Sequence, residues 1–388
     1  MAGVYVHIPF CRRKCLYCDF YSRPPADAGE IDRFAAALIY ELELRAAGAR
    51  GRSVRLCAQT NTCVGTVYFG GGTPSMLGAE TLRRILRAIR ERLSVTADAE
   101  ITVEANPLDV TADWSARCLD AGVNRLSIGV QSLDEGDLRF LGRLHHADDG
   151  PRAVKTARDA GFREVGIDLI YGLPGQSADA LRDSINRAVE VCRPEHISCY
   201  QLTYAAGTPL GRDVEAGRIP RLHPDEEYEL FVAVHRRLAE LGYPAYEVSN
   251  FSLGDAHRSR HNSNYWRHVP YVGLGPSAHS FEPPVRSWNL ASTAKYCSLV
   301  EQGRLPVAGS EALSQEQLAA EMVMLALRTT DGLNLELYRR RFGRDFADAN
   351  RDALRDAVSC GRITMSECRI RPTLDGLAVA DALAAEFN

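Results

Sequence analysis

From Val4 to about residue 215 the chain repeats one rhythm six times, and that rhythm excludes most folds. Short apolar runs, Val4–Ile8, Thr66–Phe69, Glu100–Glu104, Arg125–Val130, Glu164–Ile170 and His196–Leu202, have the length and content of buried strands. Between them, Ile31–Ala47, Thr81–Leu93, Thr111–Ala121, Asp148–Ala160 and Ala178–Val191 carry apolar residues at three- and four-residue spacing. In the first of these, Phe34, Leu38, Leu42 and Ala46 share one helical face. Gly48, Gly122 and Gly161 stand where such helices stop. Strand–helix units in series predict a parallel sheet with right-handed crossovers, covered by its helices. Periodicity does not say whether that sheet stays open or closes into a barrel.

After residue 220 the rhythm changes. A helix is expected over Asp225–Leu241, then a strand-like segment, Ala245–Phe251, then a loop from Ser252 to Phe281 rich in His, Asn and aromatics. From Ser310 the chain reads as a small helical unit, Gln315–Arg328, Asn334–Phe342 and Arg351–Cys360. It closes with a strand-like pair, Arg362–Met365 and Arg369–Pro372, and a last helix from Asp375. Helices followed by a small hairpin are similar to a winged helix. Three parts are therefore expected, 1–222, 223–309 and 310–388. The basic residues of the last part, Arg339, Arg340, Arg341 and Arg344, crowd one short helix amid acidic neighbours, and the net charge is −4. Neither supports a nucleic-acid partner.

No stretch approaches the ~20 apolar residues of a membrane span. The N-terminus opens directly into a strand-like run without a secretion signal. The 11 cysteines are odd in number and mostly scattered, which argues against a disulfide framework. A cytoplasmic location is the expectation. Homodimerisation and peripheral membrane contact stay open.

Cys11, Cys15 and Cys18 follow the first strand immediately. Three thiolates within so short a run can wrap one face of a [4Fe–4S] cluster, which ordinarily takes four. Three leave one iron open for a small ligand. The competing readings are a zinc knot and three unrelated core thiols. Zinc usually recruits a second Cys/His pair at short spacing, and none follows nearby.

Four further runs carry chemistry. Tyr68-Phe69-Gly70-Gly71-Gly72-Thr73-Pro74-Ser75 puts three glycines just past a strand, where the backbone can turn sharply and approach a ligand. Glu104 ends the third strand, at the mouth of a β/α barrel, though a solvated strand-end charge reads the same way. Gln131 and Arg143 follow the fourth strand, and an arginine can fork onto a carboxylate. Asp168 sits inside the apolar run Gly166-Ile167-Asp168-Leu169-Ile170, where a lone charge is costly without a partner.

The C-x3-C-x2-C spacing resembles the radical S-adenosylmethionine (SAM) superfamily, in which the open iron is chelated by the amino and carboxyl groups of SAM. Together the runs resemble one branch, the oxygen-independent coproporphyrinogen III oxidase family, over nearly the whole chain. The resemblance implies an α/β fold, an open partial (β/α)6 TIM-like barrel with a small C-terminal winged-helix-like domain. It implies SAM contacts at Tyr5, Gly71, Gly72, Thr73, Glu104, Gln131, Arg143 and Asp168, with Tyr17 beside the cluster.

True oxidases of that family carry a fourth cysteine two residues after the third, where this chain has Phe20. The run His261-Asn262-Ser263-Asn264-Tyr265-Trp266 resembles the H-N-x-x-Y-W signature of the other subtype, the HemW-type haem chaperones. By that resemblance the protein binds haem and delivers it to client haemoproteins, and His261 ligates the haem iron. Neutral imidazole is a common iron ligand; a lone histidine is more often a hydrogen-bonded core or surface residue. The competing function is radical decarboxylation of coproporphyrinogen III. Ser53–Gly65, with Cys57 and Cys63, looks like an inserted surface loop, because C-x5-C is not a standard metal spacing.

Overall fold

The computed structural model describes residues 1–48 and 63–387. The six expected strands form. They are β1 (Ala2–Ile8), β2 (Val64–Gly71), β3 (Val95–Ala105), β4 (Arg125–Gln131), β5 (Glu164–Tyr171) and β6 (His196–Gln201). Each pairs in parallel with the next. The helices between them are α1 (Ala28–Gly48), α2 (Gly78–Arg92), α3 (Ala112–Ala121), α4 (Glu135–Leu141), α5 (Asp149–Asp159) and α6 (Ala178–Cys192). Thr111 caps α3 by accepting from Trp114 N, and Gly122 ends it at φ +91°. The seven-residue α4 escaped the periodicity reading because it is two turns long.

Alternation along each strand separates two environments. Val4, Val6 and Ile8 face outward and join Phe34, Leu38 and Leu42 of α1 in one cluster, each at most 1% exposed. Fully burying a side chain of this size contributes about 1.5–3 kcal/mol. Tyr5 and His7 take the other face, inside the barrel. Register then sets the inner wall: Tyr5 lies opposite Tyr68, Glu104 opposite Ser127, and Asp168 opposite Ser198.

The sheet does not end with these six strands. After α7 (Pro209–Glu215) and α8 (Pro224–Glu240), β7 (Asn250–Ser252) runs antiparallel beside β6. The stretch expected as a loop, 252–281, instead carries α9 (Arg260–Trp266), β8 (Tyr271–Leu274) and β9 (His279–Glu282). β8 pairs in parallel with the outer edge of β1, and β9, β10 (Val285–Asn289) and β11 (Val307–Ala312) continue antiparallel. These strands are too short to show alternation; the free edge of β1 supplies the partner that makes β8 a strand. Of the strand expected over Ala245–Phe251 only its end forms, with an isolated bridge from Ala245 to Phe251.

A buried polar knot fastens this extension to the barrel. Glu41 on α1 accepts from Arg45 Nε, Asn289 Nδ2, Gly275 N and the Tyr296 hydroxyl, all within 2.6–2.8 Å. Tyr296 lies on α10 (Thr293–Glu301).

The C-terminal unit forms as expected. After α11 (Gln315–Leu327), β12 (Leu333–Asn334), β13 (Ile363–Met365) and β14 (Arg369–Pro372) make a small sheet in the order β12-β14-β13. Its own core includes Met322, Leu333, Tyr338, Phe346, Leu354 and Ile370. His268 to Glu321, 3.0 Å, and an isolated bridge from Glu247 to Thr329 join it to the larger unit. Most of the insertion read at Ser53–Gly65, including Cys57, lies outside the described residues; Cys63 is exposed just before β2.

Candidate functional site

The C-terminal ends of β1–β6 open into a cavity of about 560 Å3. Eleven of the expected residues line it: Cys11, Cys15, Tyr17, Cys18, Gly71, Gly72, Thr73, Glu104, Gln131, Arg143 and Asp168. Tyr5 and His261 do not.

The cysteine loop is held at both ends. Cys11 N donates to Arg23 O and Arg23 N to Pro9 O, while Leu16 N donates to Leu141 O. Leu16 and Tyr17 pack on a small cluster of Leu141, Ile170 and Leu202. The glycine loop closes against this hairpin. Gly72 N donates to Ile8 O at 2.7 Å, and a Cβ at position 72 would stand 2.6 Å from Phe10 O. Gly71 takes φ +105°, where a Cβ would strike the His7 ring. Only glycine lets the two loops meet so closely. Thr73 Oγ1 donates to Cys11 Sγ, 3.3 Å, and Arg143 Nη1 to Cys15 Sγ, 3.4 Å.

Burial and the neighbouring Cys15 and Cys11 push the Cys18 thiol up to about 11. Three thiolates here need a cationic partner. No group of three or more His, Cys, Asp or Glu among the described residues is set around a single metal ion. Three thiols line the mouth, with no histidine beside them among the described lining residues, a donor set that fits a [4Fe–4S] group with one open iron better than a zinc knot.

The cavity wall is polar and under-partnered. The Tyr68 hydroxyl donates to Glu104 Oε1, 2.8 Å, and Gly71 N to Oε2, 3.2 Å. Burial, then the charge of Asp168, pushes Glu104 up to about 8. Burial pushes Asp168 up to about 6, against hydrogen bonds from Ser198 and Ser127 and the charge of Arg143. Arg143 Nη2 donates to Gly129 O, 2.9 Å, while its buried Nε has no partner. Gln131 ends β4 at φ +67°, a left-handed conformation unusual for this residue type. Two raised carboxylates, a guanidinium with an unmet donor and a glycine cradle fit a zwitterion carrying hydroxyls, as SAM does.

Among the cavity residues that sequence reasoning missed are three on the barrel strands. Tyr68, Ser127 and Tyr200 all line the wall. Strand alternation could have found Tyr68, which shares a β2 face with Thr66. Ser127 and Tyr200 become visible only through register.

His261 lies elsewhere. It sits on α9, buried at 1% exposure, with Nδ1 bonded to Thr66 Oγ1, 2.8 Å, and Nε2 to the Tyr265 hydroxyl, 2.9 Å. Burial pushes its pKa down to about 3, so the ring is neutral. It does not line the barrel-mouth cavity, and both of its nitrogens are engaged within the protein. Tyr5 stands behind the wall, its hydroxyl 3.2 Å from His7 Nδ1 and its ring stacked on Tyr68.

Residues 5–188 match the Radical SAM superfamily and 313–379 the HemN C-terminal domain. The chain is 39% identical over 335 residues to the Heme chaperone HemW of Mycobacterium tuberculosis, covering 86% of this chain and 83% of that one. It is 31% identical over 389 residues to the Heme chaperone HemW of Bacillus subtilis, covering 100% and 99%. With that of Escherichia coli it shares 40% over 281 residues, 71% of this chain and 69% of the relative. In fold it is similar to the coproporphyrinogen III oxidase HemN of Escherichia coli, at a TM-score of 0.83 and 23% identity, covering 99% of this chain and 89% of that one. With a radical SAM barrel, a HemN-type C-terminal domain and relatives of this similarity along its length, the chain belongs to the HemW haem chaperone family.

Proposed function

We infer that this protein binds haem and hands it to client haemoproteins, using the barrel cavity as a cofactor site. The observation that carries the reading is the cavity mouth. Among the described residues three thiols stand there, and Phe20, two residues after Cys18, lines the same mouth and is 62% exposed. Leu108 and Leu144, also exposed, complete an apolar rim, with Arg12 and Arg13 beside it. An apolar rim edged by arginines suits a flat macrocycle with acidic side chains.

Cys11, Cys15 and Cys18 would hold a [4Fe–4S] cluster. Gly71, Gly72, Thr73, Glu104, Gln131, Arg143 and Asp168 would hold SAM, and Tyr17 packs beside the cysteine loop. When bound, a cluster with an open iron supplies a chelation point and one-electron chemistry. The chain's own part is positional. Arg143 spans from Cys15 to Gly129 O and so ties the thiol loop to the cavity wall. Glu104 and Asp168, held short of partners, accept donors from a ligand. Free thiols on the surface, Cys63, Cys360 and Cys368, suit a reducing compartment, and we place the protein in the cytoplasm.

The test is a haemin titration of the cluster-replete protein, followed by mixing with an apo-haemoprotein. A bound Soret band that moves to the acceptor is expected. Conversion of coproporphyrinogen III by the same anaerobic preparation, without haem transfer, would overturn the reading in favour of an oxidase. Any of Cys11→Ala, Cys15→Ala or Cys18→Ala should remove the brown chromophore; full iron retention in the triple variant would sink the cluster assignment.

A further inference from the structure

The H-N-x-x-Y-W run has no place in the cavity, yet it is built into the barrel with unusual care. Glu100 on β3 accepts from Arg260 N and His261 N, 2.9 Å each, and so pins the start of α9 to the sheet. Thr66 Oγ1 is hydrogen-bonded to His261 Nδ1 on one side and accepts from Asn264 Nδ2 on the other. Tyr265 closes the ring from Nε2. A Cβ at Gly3 would crowd Thr66 Oγ1, at 3.1 Å, the atom that meets the imidazole Nδ1. An imidazole held at both nitrogens has a fixed plane. That plane lies against Tyr68, ring centroids 5.0 Å apart and 24° from parallel. On its far end Tyr68 reaches Glu104.

We propose that His261 is a positioning residue, whose ring holds the Tyr68 hydroxyl on Glu104 and so sets the cavity wall from outside it. The inference rests on the reading that this cavity takes SAM. The physical reason is rotational freedom. Turning about the ring axis leaves the tyrosine oxygen in place, but with one face unpacked the whole Tyr68 ring can tilt about χ1 and carry its hydroxyl off Glu104 toward the open cavity. A rigid neutral ring removes that freedom without adding a charge beside two crowded carboxylates. The motif then acts through β2 on the cofactor, and the aromatic stack Tyr5, Tyr68 and His261 is the element that carries it.

A double-mutant cycle on the full-length, cluster-replete protein tests this, with SAM affinity measured by calorimetry. His261→Ala and Tyr68→Phe should each weaken SAM binding by roughly five- to tenfold, the size expected for one hydrogen bond to a carboxylate. Together they should lose no more than either alone, because the second change removes what the first already freed. His261→Phe keeps the ring and should stay within about twofold of the parent, a rescue that loss of hydrogen bonds alone would not allow. Iron content should be equal throughout. Should His261→Ala fail to fold, His261→Gln replaces it in the cycle, keeping a bond to Thr66 and removing the ring. Parent-like SAM affinity in the ring-less variants, or losses that multiply, overturns the proposal. A parent that binds no SAM overturns the cofactor reading and this inference together; a parent that binds while the variants match it overturns this inference alone. In the haemin titration His261→Phe should give the parent's Soret band. A changed band would put the imidazole on haem iron and overturn the positioning role.

Discussion

Two glutamates, the buried Glu41 on α1 and the half-buried Glu104 on β3, are provided for very differently. Glu41 has four donors, one of them the guanidinium of Arg45, itself 1% exposed. Glu104 has a tyrosine, one backbone N–H and a second carboxylate nearby. A charge taken out of water must be matched inside the protein or remain costly. The first network closes on itself, save one unpartnered Arg45 nitrogen, and has only the fold to hold. The second is left short, with Arg143 Nε unpartnered in the same cavity. Completeness of partners, rather than charge, separates the anchor from the site.

The comparison breaks most easily at the anchor. Glu41→Ala strands Arg45 in the core, and losing one partner of a buried pair typically costs about 3–5 kcal/mol. Urea unfolding should show that loss, and the β8–β11 extension should lose amide protection first. A cost below about 1 kcal/mol would mean the knot is dispensable. Arg143→Ala should do the opposite, leaving stability near the parent while weakening SAM binding. A charge-assisted hydrogen bond is worth about 1.5–3 kcal/mol, or roughly ten- to a hundredfold in affinity. Unchanged affinity would make Arg143 structural.

Glu104→Gln sharpens the contrast. The folded chain holds Glu104 protonated up to about pH 8, whereas an unfolded glutamate titrates near 4.5. The folded state therefore binds more protons across that window. Its stability from this group is complete below the unfolded value and falls as pH rises toward 8. The ligand-free Gln variant should melt a few degrees higher at pH 8, by about 2–5 °C, with a flatter pH dependence. It should be indistinguishable near pH 4.5. An unchanged slope would show that Glu104 is not strained. The smallest effect is expected at Cys63, exposed and away from the three cavity thiols: Cys63→Ser should leave iron content unchanged, and a large loss would tie the inserted segment to the cluster.

Much of this was legible in the sequence. Six strands and all but one of the helices between them could be located because each element buries one face against the same core, and burial writes period 2 or 3.6 into the chain. The cavity residues at strand ends were legible for a related reason: Cys11, Gly71, Glu104, Gln131 and Asp168 each break an apolar pattern where a buried polar group needs an excuse. The β8–β9 pair was not legible. Four-residue strands carry no period, and they exist because β1 has a second edge to fill.

The chain by itself determined the strand–helix units, the thiol triad and the glycine cradle, since each is written in residues close together in sequence; the curl of the sheet into a partial barrel was implied only by the family resemblance. Where His261 goes was decided only in three dimensions. A histidine beside tyrosine and tryptophan reads equally well as an iron ligand or as a packed ring. What separates the two is whether its nitrogens meet Thr66 and Tyr265 or an open space, and Thr66 lies 195 residues away. Such a contact depends on register between β2 and α9, which no local pattern encodes.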